Sequence, residues 1–290
     1  MAKVLDGRVV QVEIEKKLTA TCSRLAVKPH LVIIQVGQRP ESTLYIARKK
    51  EFGERVGVSI THARYPQTIT EAKLISEINN FNHNPAVHGI IVQIPLPKQL
   101  NTARILNAIS AMKDVDGLSA VNLQLAWQNN PNGFRPATAR GVLALLDYYR
   151  IPLRGRSVVI IGRSALVGKH LVLACLNAGA TVTVCHRETK NLSAITKLAD
   201  ILIVSAGSPG LITKKYVGAN QVVVDVGINV LSGQKLLEEI GKRKIVGDVA
   251  FAEVAPIVRA ISPVPGGVGP LTIACLFENL MEAYHQQIKR

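Results

Sequence analysis

Aromatic and acidic residues are both scarce in this sequence. Aromatics make up 4% of the 290 residues, and 20 Asp and Glu stand against 35 Lys and Arg, which gives a net charge of +15. Such an excess indicates anionic partners: nucleic acid, an anionic membrane surface or small polyanionic ligands. Nucleic-acid-binding proteins usually concentrate their cations on a stripe with exposed aromatics. Because the cations here are dispersed, we expect no nucleic-acid partner.

Cysteine and histidine are too few and too scattered to suggest a metal site. The sequence has 4 cysteines and 7 histidines, with no C-x-x-C pair and no H-E-x-x-H string. We expect reduced, buried thiols and no bound metal. The cysteines are Cys22, Cys175, Cys185 and Cys275.

Long apolar runs are also missing. Charged residues such as Asp6 and Glu13 interrupt the amino-terminal segment, so it does not have the pattern of a secretory signal. The best candidate for a span, residues 171–185, contains Asn177 and is shorter than the roughly 18 apolar residues that a bilayer requires. We therefore expect a cytoplasmic protein without a membrane partner.

Short β-branched runs alternate with stretches of helical period along most of the chain, which is the pattern of an α/β protein with parallel sheets. The runs are continuously apolar, as in strands that are covered on both faces. Those we predict as strands are Leu31–Val36, Gly89–Ile94, Ser157–Ile161, Thr181–Cys185, Asp200–Val204 and Val222–Val226.

The length of 290 residues favours two domains. Pro, Asn and Gly are frequent between the second and third predicted strands, in PLPKQL and NNPNGFRPATARG. We place one domain at residues 1–139 and the other at residues 140–270. A final segment with helical period, residues 271–290, is predicted to pack back on the first domain.

The string SVVIIGRSALVGKHL has the order strand, glycine turn, helix. Gly162 and Gly168 would allow a tight turn and close helix packing, and Ser164 replaces the middle glycine of the usual fingerprint. The amide groups at the start of the following helix would face a phosphate. A structural turn without a ligand is the alternative interpretation.

The residues after the next strand bear on which dinucleotide would bind. An NAD-binding protein commonly has Asp or Glu there, hydrogen-bonded to the ribose 2′-hydroxyl. This chain instead has His186 and Arg187, and Glu188 comes later. Cations would pair with a 2′-phosphate, which favours NADP, although Arg187 alone could equally be a solvated loop cation.

Three residues near the start of another predicted helix are candidates for catalysis. Ser42 is a candidate helix cap, and Tyr45 and Lys49 stand four residues apart on one helical face. A phenol beside an amine can align the amine or relay a proton. A lysine lying over an aromatic ring at the surface is the ordinary alternative.

Two polar residues in the first half stand in unusual settings. Gln93 interrupts the apolar string GIIVQIPLP, and a buried amide must find partners or a ligand. Asp116 lies in the glycine turn KDVDG, where an ordinary Asx turn is the alternative.

These strings occur in one order along nearly the whole chain, and together they resemble the bifunctional methylenetetrahydrofolate dehydrogenase/cyclohydrolase family. The matching strings are S-x-x-Y-x-x-x-K, GIIVQIPLP, KDVDG, GRS-x-x-VG, VVDVGIN, VGDV and SPVPGGVGPLT. The resemblance implies an amino-terminal α/β catalytic domain, a carboxyl-terminal Rossmann-like NADP-binding domain and a cleft between them. Family members are typically dimers, so it also implies a homodimer.

The activity implied by the resemblance has two steps. The family oxidises 5,10-methylenetetrahydrofolate by hydride transfer to NADP, and then hydrolyses the methenyl product to 10-formyltetrahydrofolate. By matching position, Lys49 is the key residue of the hydrolysis, positioned by Tyr45 and Gln93 with Ser42 nearby. Asp116 would anchor the polar edge of the pterin.

The resemblance also assigns residues that contact the cofactor and the folate. Gly162, Arg163, Ser164 and Ile228 match cofactor contacts of the family, to which the cationic residue Arg187 is added. Pro265, Gly266 and Gly267, in the loop SPVPGGVGPLT, would lie beside the folate.

Some positions depart from the family pattern. Ala137 and Ala139 stand where the family commonly has cysteine and proline, and His170 where proline is frequent. Another two-domain NADP oxidoreductase, such as a shikimate-dehydrogenase-like protein, is the alternative enzyme. It would not account for PVPGGVGP or for the helix with YIARK.

Overall fold

The computed structural model describes residues 2–231 and 244–288. The described strands are β1 (Lys3–Val4), β2 (His30–Val36), β3 (Ser59–Tyr65), β4 (Gly89–Val92), β5 (Ser157–Ile161), β6 (Thr181–Cys185), β7 (Ile201–Val204), β8 (Val222–Asp225), β9 (Asn229–Leu231), β10 (Lys244–Val246) and β11 (Ala260–Ile261). The described α-helices are α1 (Gly7–Cys22), α2 (Pro40–Val56), α3 (Glu71–His83), α4 (Thr102–Asn107), α5 (Ala120–Trp127), α6 (Ala137–Tyr148), α7 (Gly168–Asn177), α8 (Leu192–Lys197), α9 (Phe251–Val254) and α10 (Val268–Ile288).

The chain divides into two compact units. One, here called the three-stranded unit, comprises residues 12–137 and 273–290, and the other, the six-stranded unit, comprises residues 1–11 and 138–272. The predicted boundary at residue 139 placed residues 1–11 in the first domain, whereas in the structure they belong to the six-stranded unit. They belong to it because β1 pairs in parallel with β11.

The three-stranded unit is built on a parallel sheet with the strand order β3-β2-β4. Strand β2 lies in the middle and is buried along nearly its whole length. Valine and isoleucine side chains from the sheet pack against apolar residues of α3 and α4 in one continuous core. Burial of this apolar surface is the main stabilising contribution to the unit.

The carboxyl-terminal part of α10 is built into the three-stranded unit by polar as well as apolar contacts. The buried Asn279 side chain donates hydrogen bonds to the carbonyl groups of Val115 and Arg135, each at 2.8 Å. The Tyr284 hydroxyl donates to the carbonyl group of Val27 at 2.7 Å. These bonds satisfy loop carbonyls that would otherwise be buried without a partner.

The six-stranded unit has a parallel sheet in the order β1-β11-β8-β7-β5-β6. Strands β5, β7 and β8 are almost entirely buried, with helices following β5 and β6 as crossover connections. A separate antiparallel pair is formed by β9 and β10. The predicted α/β class with parallel sheets is confirmed.

The six predicted strands all exist, two with the predicted ends and four with ends that differ by one or two residues. The prediction that these strands are covered on both faces is wrong for β6, which is an edge strand and is mostly exposed. Strand β3 was not predicted because its sequence, SITHARY, alternates and its residues are partly or fully exposed, as expected at the edge of a sheet. Strands β1 and β11 have two residues each, too few to show a pattern.

Candidate active site

Lys49 and Gln93, which are 44 residues apart, meet in the three-stranded unit. Lys49 lies in α2, and Gln93 directly follows β4. The Lys49 Nζ atom donates a hydrogen bond to Gln93 Oε1 at 3.0 Å, and Gln93 Nε2 donates to the carbonyl group of Ile94 at 2.9 Å. The second bond fixes the amide, so that its oxygen faces the amine.

Asp116 reaches the same place through backbone pairing. The segment KDVDG runs beside β4, because Asp114 pairs with Ile90 and the amide of Ile90 donates to the carbonyl group of Lys113 at 2.7 Å. Asp116 therefore follows this pairing by two residues and Gln93 follows it by three. Asp116 is thus level with Val92, the last residue of β4, and Gln93 is the next residue, so both lie at the carboxyl end of this strand, where ligands bind in parallel sheets.

Burial and mutual attraction set the charge of Lys49 and Asp116. Desolvation lowers the pKa of Lys49, and the Asp116 carboxylate offsets part of this decrease. Desolvation raises the pKa of Asp116, the cation of Lys49 opposes the increase, and the nearby Asp114 adds to it. Burial thus disfavours the charged form of each residue, and their mutual attraction favours it.

Buried residues that we did not single out from the sequence hold the turn that carries Asp116. The Asp114 carboxylate accepts hydrogen bonds from the amide of Ser119 at 2.8 Å and from Asn122 Nδ2 at 2.9 Å. Asn122 Oδ1 in turn accepts from the amide of Phe134 at 3.1 Å. Both residues stand in the string KDVDGLSAVN, in which polar and apolar residues are mixed, so no clear sequence signal marks them.

Ser42 and Tyr45 lie in the same helix as Lys49. The prediction that Ser42 caps the helix is wrong: α2 starts at Pro40 with Arg39 as its cap, since proline suits the first helical turn. Ser42 is instead buried within the helix. Tyr45 is half-buried one turn before Lys49, and in the described structure no hydrogen bond joins its hydroxyl to the amine.

The glycine turn in the six-stranded unit brings backbone segments too close together for a Cβ atom at either glycine. Gly162 follows β5 with φ +121°, and a Cβ atom there would collide with the carbonyl group of Ser205. A Cβ atom on Gly168, the first residue of α7, would collide with the carbonyl group of Gly162. The turn can therefore be formed only without these side chains, and it leaves a backbone cradle at the start of a ten-residue helix.

Ser164 stands inside that turn and supports it. Its hydroxyl oxygen accepts hydrogen bonds from the amides of Val167 at 3.3 Å and Gly168 at 3.2 Å. Val167 occupies the cap position of α7 and has no side chain that can accept a hydrogen bond. The Ser164 hydroxyl therefore supplies the acceptor for the first amides of the helix.

Cations and one carboxylate meet where β6 ends. The Glu188 carboxylate lies 3.1 Å from Arg163 Nη2 and 3.8 Å from Arg187 Nε. Although Glu188 comes later in sequence than a ribose-binding carboxylate usually does, the structure brings it to Arg163. Arg163 and Arg187, both predicted cofactor contacts, are therefore on one ion-paired cluster.

The remaining predicted residues lie in two neighbouring loops of the six-stranded unit. Ile228 follows β8 and is half-exposed, and its Cδ1 atom is the nearest group to the Cβ position of Gly269. Gly266, with φ +109°, accepts a hydrogen bond from the amide of Gly7 at 2.8 Å, and Gly267 packs against Gly7. Pro265 precedes these two glycines. The folate contacts of this loop stay a prediction.

Two buried aspartates, which sequence reasoning missed, hold the loops around the glycine turn. Asp248 accepts hydrogen bonds from the amides of residues 206–208 at 2.6–2.9 Å and from Asn229 Nδ2 at 2.9 Å. Asp225 accepts from the amides of Gly227, Asp248 and Val249 at 2.9–3.1 Å. Both lie in quoted motifs, VVDVGIN and VGDV, where an acid amid apolar residues is the available signal.

Within residues 2–231 and 244–288, no group of three or more His, Cys, Asp or Glu residues could hold a metal ion. Across the same residues, no helix is long and apolar enough to cross a bilayer. The four cysteines are buried and unbonded to one another.

Models of one family match both parts of the chain. The catalytic domain of tetrahydrofolate dehydrogenase/cyclohydrolase matches residues 5–116, and the NAD(P)-binding domain of the same enzyme matches residues 136–288. The chain belongs to the tetrahydrofolate dehydrogenase/cyclohydrolase family. This confirms the family and the enzyme class predicted from the ordered motifs.

Whole-length relatives agree with this assignment. The bifunctional protein FolD of Wolinella succinogenes is 45% identical over 287 residues, covering 97% of this chain and 96% of the relative. The crystal structure of the bifunctional enzyme FolD from Campylobacter jejuni has a TM-score of 0.93 and 40% identity, covering 99% of this chain and all of the other. The Trypanosoma brucei enzyme, solved with NADP and an inhibitor, has a TM-score of 0.93 and 30% identity over 100% of this chain and 99% of that one.

The alternative enzyme class shares only the fold. A shikimate dehydrogenase from Aquifex aeolicus has a TM-score of 0.50 and 12% identity. Because the catalytic-domain model of the tetrahydrofolate dehydrogenase/cyclohydrolase family also matches the first half of this chain, the shikimate-dehydrogenase-like interpretation is wrong.

Proposed function

We propose that this chain oxidises 5,10-methylenetetrahydrofolate to the 5,10-methenyl compound with NADP, and hydrolyses that product to 10-formyltetrahydrofolate. The observation that carries the proposal is the contact of Lys49 with Gln93 beside Asp116. Family membership and the NADP complex of the Trypanosoma brucei relative support the reaction and the cofactor.

The residues present fit NADP. The backbone cradle at Gly162 and Gly168 would take the pyrophosphate, and Arg163 and Arg187 supply cations for a 2′-phosphate. NADP supplies the hydride acceptor when it is bound. Because the amine nitrogens of the folate stabilise the iminium product, this step needs no strong acid or base, and the protein contributes mainly by orienting the two ligands.

The hydrolysis makes a different demand on the protein. Water adds to the cationic methenyl carbon and loses one proton, which gives a neutral adduct with a hydroxyl group. The bond from this carbon to N5 then breaks as N5 takes up a proton, and the hydroxyl group loses its own proton to become the carbonyl of the formyl group on N10, so that one proton is released overall. Lys49, whose pKa is lowered, can hold the proton that the attacking water loses and return it to the leaving nitrogen. Gln93 fixes the position of the amine during both transfers.

Asp116 has a second role in this proposal. Its carboxylate would accept hydrogen bonds from the polar edge of the pterin, while its attraction for Lys49 offsets part of the decrease in the pKa of the amine. The three-stranded unit would then bind the folate, and the six-stranded unit the NADP. A homodimer and a cytoplasmic location, which the family resemblance and the sequence imply, stay predictions.

Lys49→Met tests the division of roles. We expect hydrolysis of the methenyl compound to fall by about 10²–10⁴-fold, the range for loss of a positioned acid–base group, while NADP reduction with the methylene substrate is largely retained. Absorbance distinguishes reduced nicotinamide, the methenyl compound and its hydrolysis product. Lys50→Met is the matched control. Lys50 is the next residue of α2, and its charge lowers the pKa of His62.

Two results would contradict the proposal at different levels. If the unaltered protein gave neither reduced nicotinamide nor the methenyl compound, the proposed reaction would be wrong. If Lys49→Met lost both activities equally, Lys49 would not be specific to the hydrolysis.

A further inference from the structure

The segment after β6 lies directly against the glycine turn. The amide of Gly162 donates a hydrogen bond to the carbonyl group of Cys185, the last residue of β6, at 2.9 Å. Residues 186–189 then form a tight turn, in which the amide of His186 donates to Thr189 Oγ1 at 2.9 Å. This turn sets Glu188 beside Arg163.

Glu188 lies in a small cluster with two arginines and with His186, whose Nδ1 atom is 3.7 Å from Glu188 Oε2. Glu188 Oε2 lies 3.1 Å from Arg163 Nη2, and Oε1 lies 3.8 Å from Arg187 Nε. The side chains of Arg163, Glu188 and Arg187 are 55%, 60% and 90% exposed. Exposed pairs of this kind contribute little to stability, so stability does not account for the carboxylate here.

The place of the cluster points to a ligand-related role. In a Rossmann-like unit the end of the strand after the glycine turn meets the adenosine ribose, where a carboxylate bonds to a 2′-hydroxyl and an arginine accommodates a 2′-phosphate. This chain has both kinds of group at that place, and they are paired with each other. NAD would therefore meet a carboxylate that is already paired with an arginine, and NADP an arginine that is already paired with a carboxylate.

We propose that Glu188 is a specificity-determining residue of the cofactor site, which lowers the preference of this chain for NADP over NAD. The inference rests on the proposed function, because it requires a nicotinamide dinucleotide at the glycine turn. A 2′-phosphate has to share Arg163 with the Glu188 carboxylate and places further negative charge beside it. A ribose 2′-hydroxyl has no such cost and can donate a hydrogen bond to the same carboxylate.

Glu188→Gln separates these effects, since it keeps the size of the side chain and removes its charge. We expect the dissociation constant for 2′,5′-ADP, which carries the 2′-phosphate, to decrease about tenfold, equivalent to about 1.4 kcal/mol. Binding of 5′-AMP, which has the 2′-hydroxyl, should stay the same or weaken. The ratio of kcat/KM for NADP to kcat/KM for NAD should increase, because the variant prefers NADP more strongly.

The binding measurement is isothermal titration calorimetry of the full chain with each nucleotide. Asp200→Asn is the control for overall charge. Asp200 accepts a hydrogen bond from the amide of Ser157 at the start of β5, whereas Glu188 follows the carboxyl end of the neighbouring parallel strand β6. An unchanged ratio of the two dissociation constants in Glu188→Gln, or an equal change in Asp200→Asn, would overturn the inference. If the unaltered protein bound neither 2′,5′-ADP nor NADP, the proposed cofactor site would itself be wrong.

Discussion

Asp248→Asn should destabilise the six-stranded unit through the loop that follows β7. The Asp248 side chain is fully buried and accepts four hydrogen bonds. Its Oδ2 atom accepts from the amides of Ala206 and Gly207, and its Oδ1 atom from the amide of Ser208 and from Asn229 Nδ2. In either orientation, the new amide group would turn its own N–H bonds toward two of these donors.

The expected magnitude follows from those two donors. A buried donor left without an acceptor costs about 1–3 kcal/mol. Since Ala206 and Gly207 are exposed, water can reach part of the loop, and we take the lower part of that range, a total of about 2–4 kcal/mol. For a unit of this size the melting temperature should decrease by about 5–15 °C.

Thermal unfolding followed by circular dichroism measures this change. Asp200→Asn is the matched control, because its carboxylate is 46% exposed and accepts from one backbone amide, that of Ser157. We expect its melting temperature to decrease by no more than about 2 °C. Equal decreases in the two variants would refute the reasoning, since the buried hydrogen bonds of Asp248 would then have no particular weight.

Two further predictions concern the same unit. Gly168→Ala should weaken NADP binding and lower the melting temperature, because its Cβ atom would collide with the carbonyl group of Gly162. Gly218→Ala should do neither, because its Cβ atom would make only an ordinary contact, 4.0 Å from Gln221 Oε1. Equal effects of the two substitutions in calorimetry and thermal unfolding would contradict this. Burial, with the neighbouring Asp248 contributing, raises the pKa of Asp225 to about 6 from 3.8, so the folded state holds a proton that the unfolded state has lost between these values. The contribution of Asp225 to stability should therefore increase by about 1 kcal/mol as the pH decreases from 7 to 5. Denaturant unfolding of the parent and Asp225→Asn checks this, and identical pH dependence in both would count against it.

Sequence patterns predicted best what depends on local sterics. The glycine turn could be predicted because Gly162 and Gly168 each stand where a Cβ atom would collide with backbone, a condition that local sequence expresses. Buried parallel strands were equally visible as apolar runs. Strand β3 has no such run, because it is an edge strand whose polar residues face solvent.

Contacts between distant residues could not be predicted in that way. The Lys49–Gln93 contact depends on α2 and the end of β4 meeting in space, and only the family resemblance suggested it. Asp114, Asn122 and Asp248 were missed because their role is to accept or donate hydrogen bonds to particular loops. The Ser42 cap was wrong because Pro40 could start the helix earlier.

The structure also sharpens the meaning of the net charge of +15. Asp114, Asp225 and Asp248 are each no more than 3% exposed, and their carboxylates are engaged by backbone amides, whereas Lys113 is the one buried lysine or arginine among the residues that the structure describes. The surface is therefore more basic than the composition alone indicates. Because NADP and a folate with its glutamate tail are both polyanions, such a field favours their encounter with the protein, and salt screens it beyond about 8 Å at physiological ionic strength. Long-range charge thus assists the approach of either ligand, but it does not distinguish NADP from NAD. That discrimination has to depend on groups in direct contact with the nucleotide at the end of β6, such as Arg163 and Glu188.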